Sequence, residues 1–146
     1  MTGVQTCALP IFLVEFKDDD GQVWWATPGG GVAEAEAAEE ALRRELAEEI
    51  GLVDAQLGPE LWTRDATFAW NGRILHTPER IWLVRVDEHE PAPRVDLRAE
   101  NVAGLRWWTL DDLDATREEL VPRRLPELMR TLLRDGPSVA PVDAGL

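Results

Sequence analysis

Three glutamates carry the first chemical signal in this chain. Glu45, Glu48 and Glu49 stand at i, i+3 and i+4, so on a helix their side chains converge on one face. Left bare, like charges at that spacing cost about 0.2–0.5 kcal/mol per pair. A divalent cation reverses the sign, because the carboxylates then share a counter-charge. Hard oxygen ligands of this kind favour magnesium or manganese over zinc. Neither His76 nor Cys7 sits at a spacing that argues for a softer metal. Taken alone, the three glutamates also fit a solvated Glu-rich helix. The run Gly29-Gly30-Gly31 just ahead of them changes the balance. Glycines let the backbone approach a ligand closely, and free N–H groups at a helix start suit phosphate oxygens. Glycine loop and carboxylate ridge together describe one site for a metal-bound pyrophosphate, with Gly29, Gly30 and Gly31 against the substrate.

The element that must carry the ridge runs from Ala33 to Ile50. It is rich in Ala, Glu, Leu and Arg, all strong helix formers. Ala38, Ala41, Leu42, Leu46 and Ile50 recur at helical spacing as one apolar face, and Gly51 stands where a C-cap belongs. Glu36 belongs to the first turn, where a carboxylate complements the helix dipole. Ahead of the helix, Phe12–Phe16 and Gln22–Ala26 read as strands separated by the Lys17–Gly21 turn. Behind it, Leu52–Phe68 holds one or two strands punctuated by Gly58-Pro59. Trp70-Asn71-Gly72-Arg73 reads as a hairpin turn, and Arg80–Val86 is the clearest strand. Asp87–Arg94 is a Pro-rich loop, and Leu105–Trp108 another short strand. Thr109 to Asp112 opens a helix in capping-box style, and Val121–Leu133 is a final amphipathic helix. Strands, one central helix, strands and then helices make an α+β fold.

These residues resemble a known pattern. Gly30, Glu36 and the run Arg44-Glu45-Leu46-Ala47-Glu48-Glu49-Ile50-Gly51-Leu52 fit the Nudix box of the Nudix hydrolase family at every fixed position across residues 30–52. Trp24 to Gly31 is similar to the family's strand and loop ahead of the box, and Trp107 to Leu113 to its C-terminal strand and helix start. The resemblance covers residues 12–135. It implies a Nudix fold, a mixed β-sheet sandwiched between α-helices, with the N-terminal strand truncated in this chain. It also implies hydrolysis of a nucleoside diphosphate linked to another moiety, dependent on Mg2+ or Mn2+. By the same resemblance Glu45, Glu48 and Glu49 ligate the metal, and Arg44 holds the glutamates through an ion pair. The general base varies in the family. Candidates here are Glu49 within the box and, outside it, Glu79 and Glu100. Many relatives are dimers, so a homodimer is allowed. The rival reading on this fold is a nucleotide-binding sensory or regulatory module without hydrolysis, and an intact box argues against it. Isomerase relatives are expected to show altered boxes.

Composition narrows the partners. With 15 Lys+Arg against 28 Asp+Glu, the net charge is −13. An acidic surface of that size repels nucleic-acid backbones, leaving a small nucleotide whose charge metal ions neutralise. No apolar run approaches the ~18 residues of a membrane span, and the expected location is the cytoplasm. Residues 1–11 resemble the in-frame translation of a common sequencing-library adapter, and are read as a non-native segment ahead of a domain at 12–135. On this reading a native start is missing, and the chain as given is open to being an inactive fragment. Residues 136–146 are expected to fray. The seven tryptophans mostly fall on expected strands, where core and sheet-face packing is their role. Phe68 and Trp70 flank the hairpin tip, where an aromatic can also stack on a base. Arg64, Arg73 and Arg80 suit phosphates in principle but read as solvated salt bridges. His76 and His89 fall in loops without an assigned role.

Overall fold

The computed structural model describes residues 10–28, 37–53, 56–70, 72–86 and 101–145. Strands β1 (Ile11–Lys17) and β2 (Val23–Ala26) are followed by helix α1 (Ala38–Ile50) and the long strands β3 (Leu57–Trp70) and β4 (Arg73–Val84). Then come β5 (Val102–Trp108), α2 (Leu110–Ala115), β6 (Leu120–Val121), α3 (Leu125–Asp135) and β7 (Val142–Asp143). One sheet has the order β5-β1-β2-β6, the other β4-β3-β7. Both are mixed, because β6 runs parallel to β2 and β7 parallel to β3 while the remaining pairs are antiparallel. The α+β class expected from the sequence is the class observed.

Strand β1 explains the layering. Phe12, Leu13 and Val14 are buried one after another, which requires both faces of the strand to be covered. Phe12, Val14 and Phe16 face a cluster with Leu42, Leu46 and Ile50 of α1, together with Leu105, Trp107 and Val84. Ile11 and Leu13 face the opposite cluster, where Leu125, Leu128 and Met129 of α3 meet Leu61, Trp62 and Ile81 of the second sheet. The first sheet is therefore sandwiched between α1 and a layer built from α3 and β3–β4. Tryptophans sort by strand face as packing requires. Trp107 meets Phe12 edge-on at 5.1 Å on the α1 side, and Trp25 meets Trp108 edge-on at 5.1 Å on the other.

Local chemistry set the ends of the elements. Gly51 caps α1 at φ 71°, and the Gly51 and Leu52 N–H groups donate to the Ala47 and Leu46 carbonyls. Trp70 pairs with Arg73 at the end of the β3–β4 hairpin, with Gly72 at φ 77°. Thr109 and Asp112 exchange side-chain-to-backbone hydrogen bonds at 3.1 and 2.9 Å, so Asp serves in the capping box.

The segment Leu52–Phe68 holds one described strand, β3, within the one or two expected, and Gly58-Pro59 falls at a register shift inside it. A side chain at Gly58 would place Cβ 2.8 Å from the Leu83 carbonyl oxygen, so the close approach of β4 demands glycine. His76 lies in β4, with its Nδ1 2.8 Å from the Thr67 hydroxyl, and not in a loop. The last helix begins at Leu125, not Val121: Leu120–Val121 is taken by pairing with β2, and Pro126 sits in the first turn, where its missing N–H costs little. Part of the segment expected to fray is tied down. Val142 and Asp143 pair with β3, Ala144 is fully buried, and its N–H donates to the Thr63 carbonyl at 2.8 Å.

Candidate functional site

Helix α1 presents the three glutamates as a graded ridge. At about 100° per residue, Glu49 lies next to the Leu42–Leu46–Ile50 stripe, Glu45 farther round and Glu48 farthest. Burial follows that order: Glu49 is 4% exposed, Glu45 13% and Glu48 40%. The apolar stripe that docks the helix on β1 and β5 thus fixes the depth of each carboxylate. One flank of one helix carries all three, as the spacing requires.

Arg44 joins two of them. Its Nη1 donates to Glu45 Oε1 at 2.8 Å and lies 3.5 Å from Glu48 Oε2. Both carboxylates therefore reach the same guanidinium nitrogen, which relieves their mutual repulsion and limits their rotamers. Among the described residues no group of three or more His, Cys, Asp or Glu side chains is arranged to hold a metal ion. The donor set itself, carboxylate oxygens alone on one helix flank, suits a hard divalent cation. Gly29, Gly30, Gly31, Glu36 and Glu100 lie outside the described residues, as do His89 and the first nine positions.

Glu79 sits in β4 directly opposite Arg64 of β3. The Arg64 Nε is 3.1 Å from Glu79 Oε2. Burial pushes the Glu79 carboxyl above its ordinary range, against the downward pull of Arg64. Arg64 is 7% exposed, so the expectation of a solvated salt bridge fails for this residue. One signal for it was present in the sequence. Trp62 and Arg64 are two apart, so on a strand they share a face, but which face turned inward required the register. Arg80 does behave as a solvated ion pair: it clasps Glu60 with bonds of 2.9 and 2.8 Å and holds that carboxyl below its ordinary range. Arg73 is exposed.

Comparison with known proteins fits this geometry. The family model described as NUDIX domain matches residues 5–131. An RNA pyrophosphohydrolase of Caulobacter vibrioides is 30% identical over 126 residues, covering 70% of this chain and 71% of the relative. Among solved structures, a MutT NUDIX hydrolase from Burkholderia pseudomallei superposes with a TM-score of 0.58 at 27% identity, covering 82% of this chain and 89% of that one. The E. coli ORF135 protein superposes with a TM-score of 0.59 at 25% identity, over 90% and 86% of the two chains. The chain belongs to the NUDIX domain family, as a hydrolase of the pyrophosphohydrolase type.

Proposed function

We propose that this protein hydrolyses the pyrophosphate bond of a nucleoside diphosphate linked to another moiety, with Mg2+ or Mn2+ held by Glu45, Glu48 and Glu49. The observation that supports it most is the graded carboxylate flank of α1, with two members already drawn together by Arg44. When bound there, the cation supplies charge neutralisation of the diphosphate and acidifies a water molecule. The chain's own residues do the rest. Arg44 keeps Glu45 and Glu48 oriented between turnovers. Gly29, Gly30 and Gly31 admit the diphosphate to the backbone ahead of α1. Water attacks one phosphorus as the bridging P–O bond breaks, and the departing phosphate keeps that bond's electron pair. The water's proton passes to a carboxylate. Glu49 is the candidate base within the helix; Glu79 and Glu100 are the candidates outside it. The raised proton affinity of Glu79 suits a proton acceptor at neutral pH.

The net charge of −13 favours a nucleotide-sized substrate over a long polyanion such as RNA. Among the described residues no helix is long and apolar enough to cross a membrane, and the reading carries with it a cytoplasmic location. A phosphate-release screen with and without magnesium tests the proposal, using ADP-ribose-like compounds, oxidised nucleotides, dinucleoside polyphosphates and nucleotide sugars, with a pyrophosphate-bearing RNA alongside. Metal-dependent release from one nucleotide class is expected. Nucleotide binding without turnover of any of them would favour the sensory module instead.

A further inference from the structure

Trp82 is a tryptophan that the described core does not account for. Trp25, Trp62 and Trp108 belong to one buried cluster, and Trp107 packs on the other. On β4 the neighbours Ile81 and Leu83 pack on the first cluster and Val84 on the second, yet the half-buried Trp82 among them is in neither. What lies over its ring is Arg80, with the guanidinium carbon 4.7 Å from the ring centroid. Glu60 clamps that guanidinium along one edge, accepting from Nε at 2.9 Å and from Nη2 at 2.8 Å. Stacked on one side and bonded along one edge, the group is held flat, while the Arg80 side chain stays 54% exposed. The stack of Arg106 on Trp108 differs, because that indole is 1% exposed and is itself part of the core.

Position gives the chemistry. Arg80, Trp82 and Val84 are two apart in turn on β4, so they share one of its faces. Val84 packs there in the cluster that holds Leu42, Leu46 and Ile50 of α1. Glu39 stands seven residues before Leu46, about two helical turns, and so continues that stripe toward the helix start. Arg80 lies within the electrostatic reach of Glu39. From Val84 back to Arg80 the strand covers about 13 Å, and from Leu46 back to Glu39 the helix covers about 10 Å. Strand β4 therefore runs along α1 toward its N-terminus. The Arg80 plane lies beside the first turn, at the end of the helix where we propose that the diphosphate enters. It is not built for a phosphate. Its Nε and Nη2 donors are committed to Glu60, and Glu39 adds negative charge nearby. What the guanidinium leaves open is its flat face, which suits an uncharged planar ring.

We infer that the open guanidinium face of Arg80, backed by Trp82 and held flat by Glu60, is the platform on which the nucleobase of the substrate stacks. This rests on the pyrophosphohydrolase reading above. The test is calorimetric titration of ADP and, separately, of inorganic pyrophosphate, both in magnesium buffer. The proteins are wild type, Arg80→Met, Arg80→Lys and Trp82→Leu, with a thermal melt on each to establish folding. Arg80→Met should weaken ADP binding by about 5- to 100-fold, the worth of one stacked base. Arg80→Lys should lose as much, because lysine keeps the charge but has no plane. Trp82→Leu should weaken ADP binding as well, since the guanidinium loses its backing ring. Pyrophosphate, which carries no base, should bind all four proteins alike. Wild-type ADP affinity in folded Arg80→Met overturns the inference, and so does an equal loss of pyrophosphate affinity. If that variant does not fold, wild-type ADP affinity in Arg80→Lys overturns it instead. The nucleotide screen separates the two readings. Turnover by wild type together with undiminished ADP binding in Arg80→Met removes this inference alone. ADP binding that depends on Arg80, without turnover of any nucleotide, removes the hydrolase reading and keeps the platform. A wild type that binds neither ADP nor pyrophosphate removes both.

Discussion

Replacing Glu48 with Gln separates the proposed metal role of the ridge from its part in folding. Glu48 is 40% exposed, and its ion pair is the 3.5 Å contact with Arg44 one turn earlier. An exposed i,i+4 pair of that kind is worth about 0.3–0.5 kcal/mol. Removing the charge also relieves repulsion from Glu45 at i−3, which returns about 0.2–0.5 kcal/mol. The net change without metal is therefore within about 0.5 kcal/mol, or ~2 °C in Tm for a domain of this size. Metal changes the comparison. A cation at 100 times its Kd stabilises the native state by about 2.7 kcal/mol, roughly 10 °C here. Losing one charged ligand should weaken affinity at least about tenfold, or ~1.4 kcal/mol, and cut that gain by roughly 6 °C. The assay is a pair of thermal melts, with EDTA and with magnesium, plus phosphate release on the best nucleotide of the screen. The expected result is an unchanged EDTA melt, a diminished magnesium shift and abolished turnover. An identical magnesium shift in variant and wild type, or retained turnover, would take Glu48 out of the ligand set. A fall of more than ~8 °C in EDTA would mean that the side chain is structural and the estimate above is wrong.

Because burial raises the Glu79 carboxyl, the folded chain binds that proton more tightly than the unfolded chain. The stability this group contributes is then fully present below the ordinary glutamate value of about 4.3 and is lost as pH rises through the raised native value. Denaturant melts from pH 4 upward should show Glu79→Gln gaining on wild type as pH rises; a flat or opposite difference refutes the assignment. Truncation after Gly136 removes β7, the Ala144 N–H bond to Thr63 and the bond from Arg124 to the Asp143 carbonyl. At about 0.5–1.5 kcal/mol per lost bond, the variant should lose roughly 2–3 kcal/mol in a urea melt, and an unchanged midpoint would show that β7 adds no stability.

What was legible in the sequence was whatever short-range chemistry decides. The Gly51 cap, the hairpin that pairs Trp70 with Arg73 and the Thr109–Asp112 box all appear where residue types alone located them. The carboxylate flank of α1 was legible for the same reason, since helical periodicity is local. Errors gathered where distant strands compete for a segment. Leu120 and Val121 have the apolar spacing of a helix start, but β2 offers a parallel edge that takes them as a strand. Val142 to Ala144 look like tail residues until β3 supplies pairing partners and a pocket in the core.

The same distinction explains why Arg64 was misjudged and Arg44 was not. The partners of Arg44 are one and four residues away on the same helix, so their contact is a consequence of spacing. The partner of Arg64 is fifteen positions along the chain, and they meet only because the hairpin turn fixes the register. Two irregularities in the pairing, between Leu57 and Glu60 and between Glu60 and Trp62, lie on the core side of Arg64. Each such irregularity offsets the alternation of side chains between faces. Counting inward from the core end of β3 therefore gives no secure answer for which face Arg64 occupies; counting back from the Trp70–Arg73 pair does. A buried charge on a strand is thus decided by the turn that sets the register, whereas a carboxylate ridge on a helix is decided by the helix itself. That is why the carboxylate flank of α1 could be read from residue spacing, and why the buried Arg64–Glu79 pair became visible only with the fold.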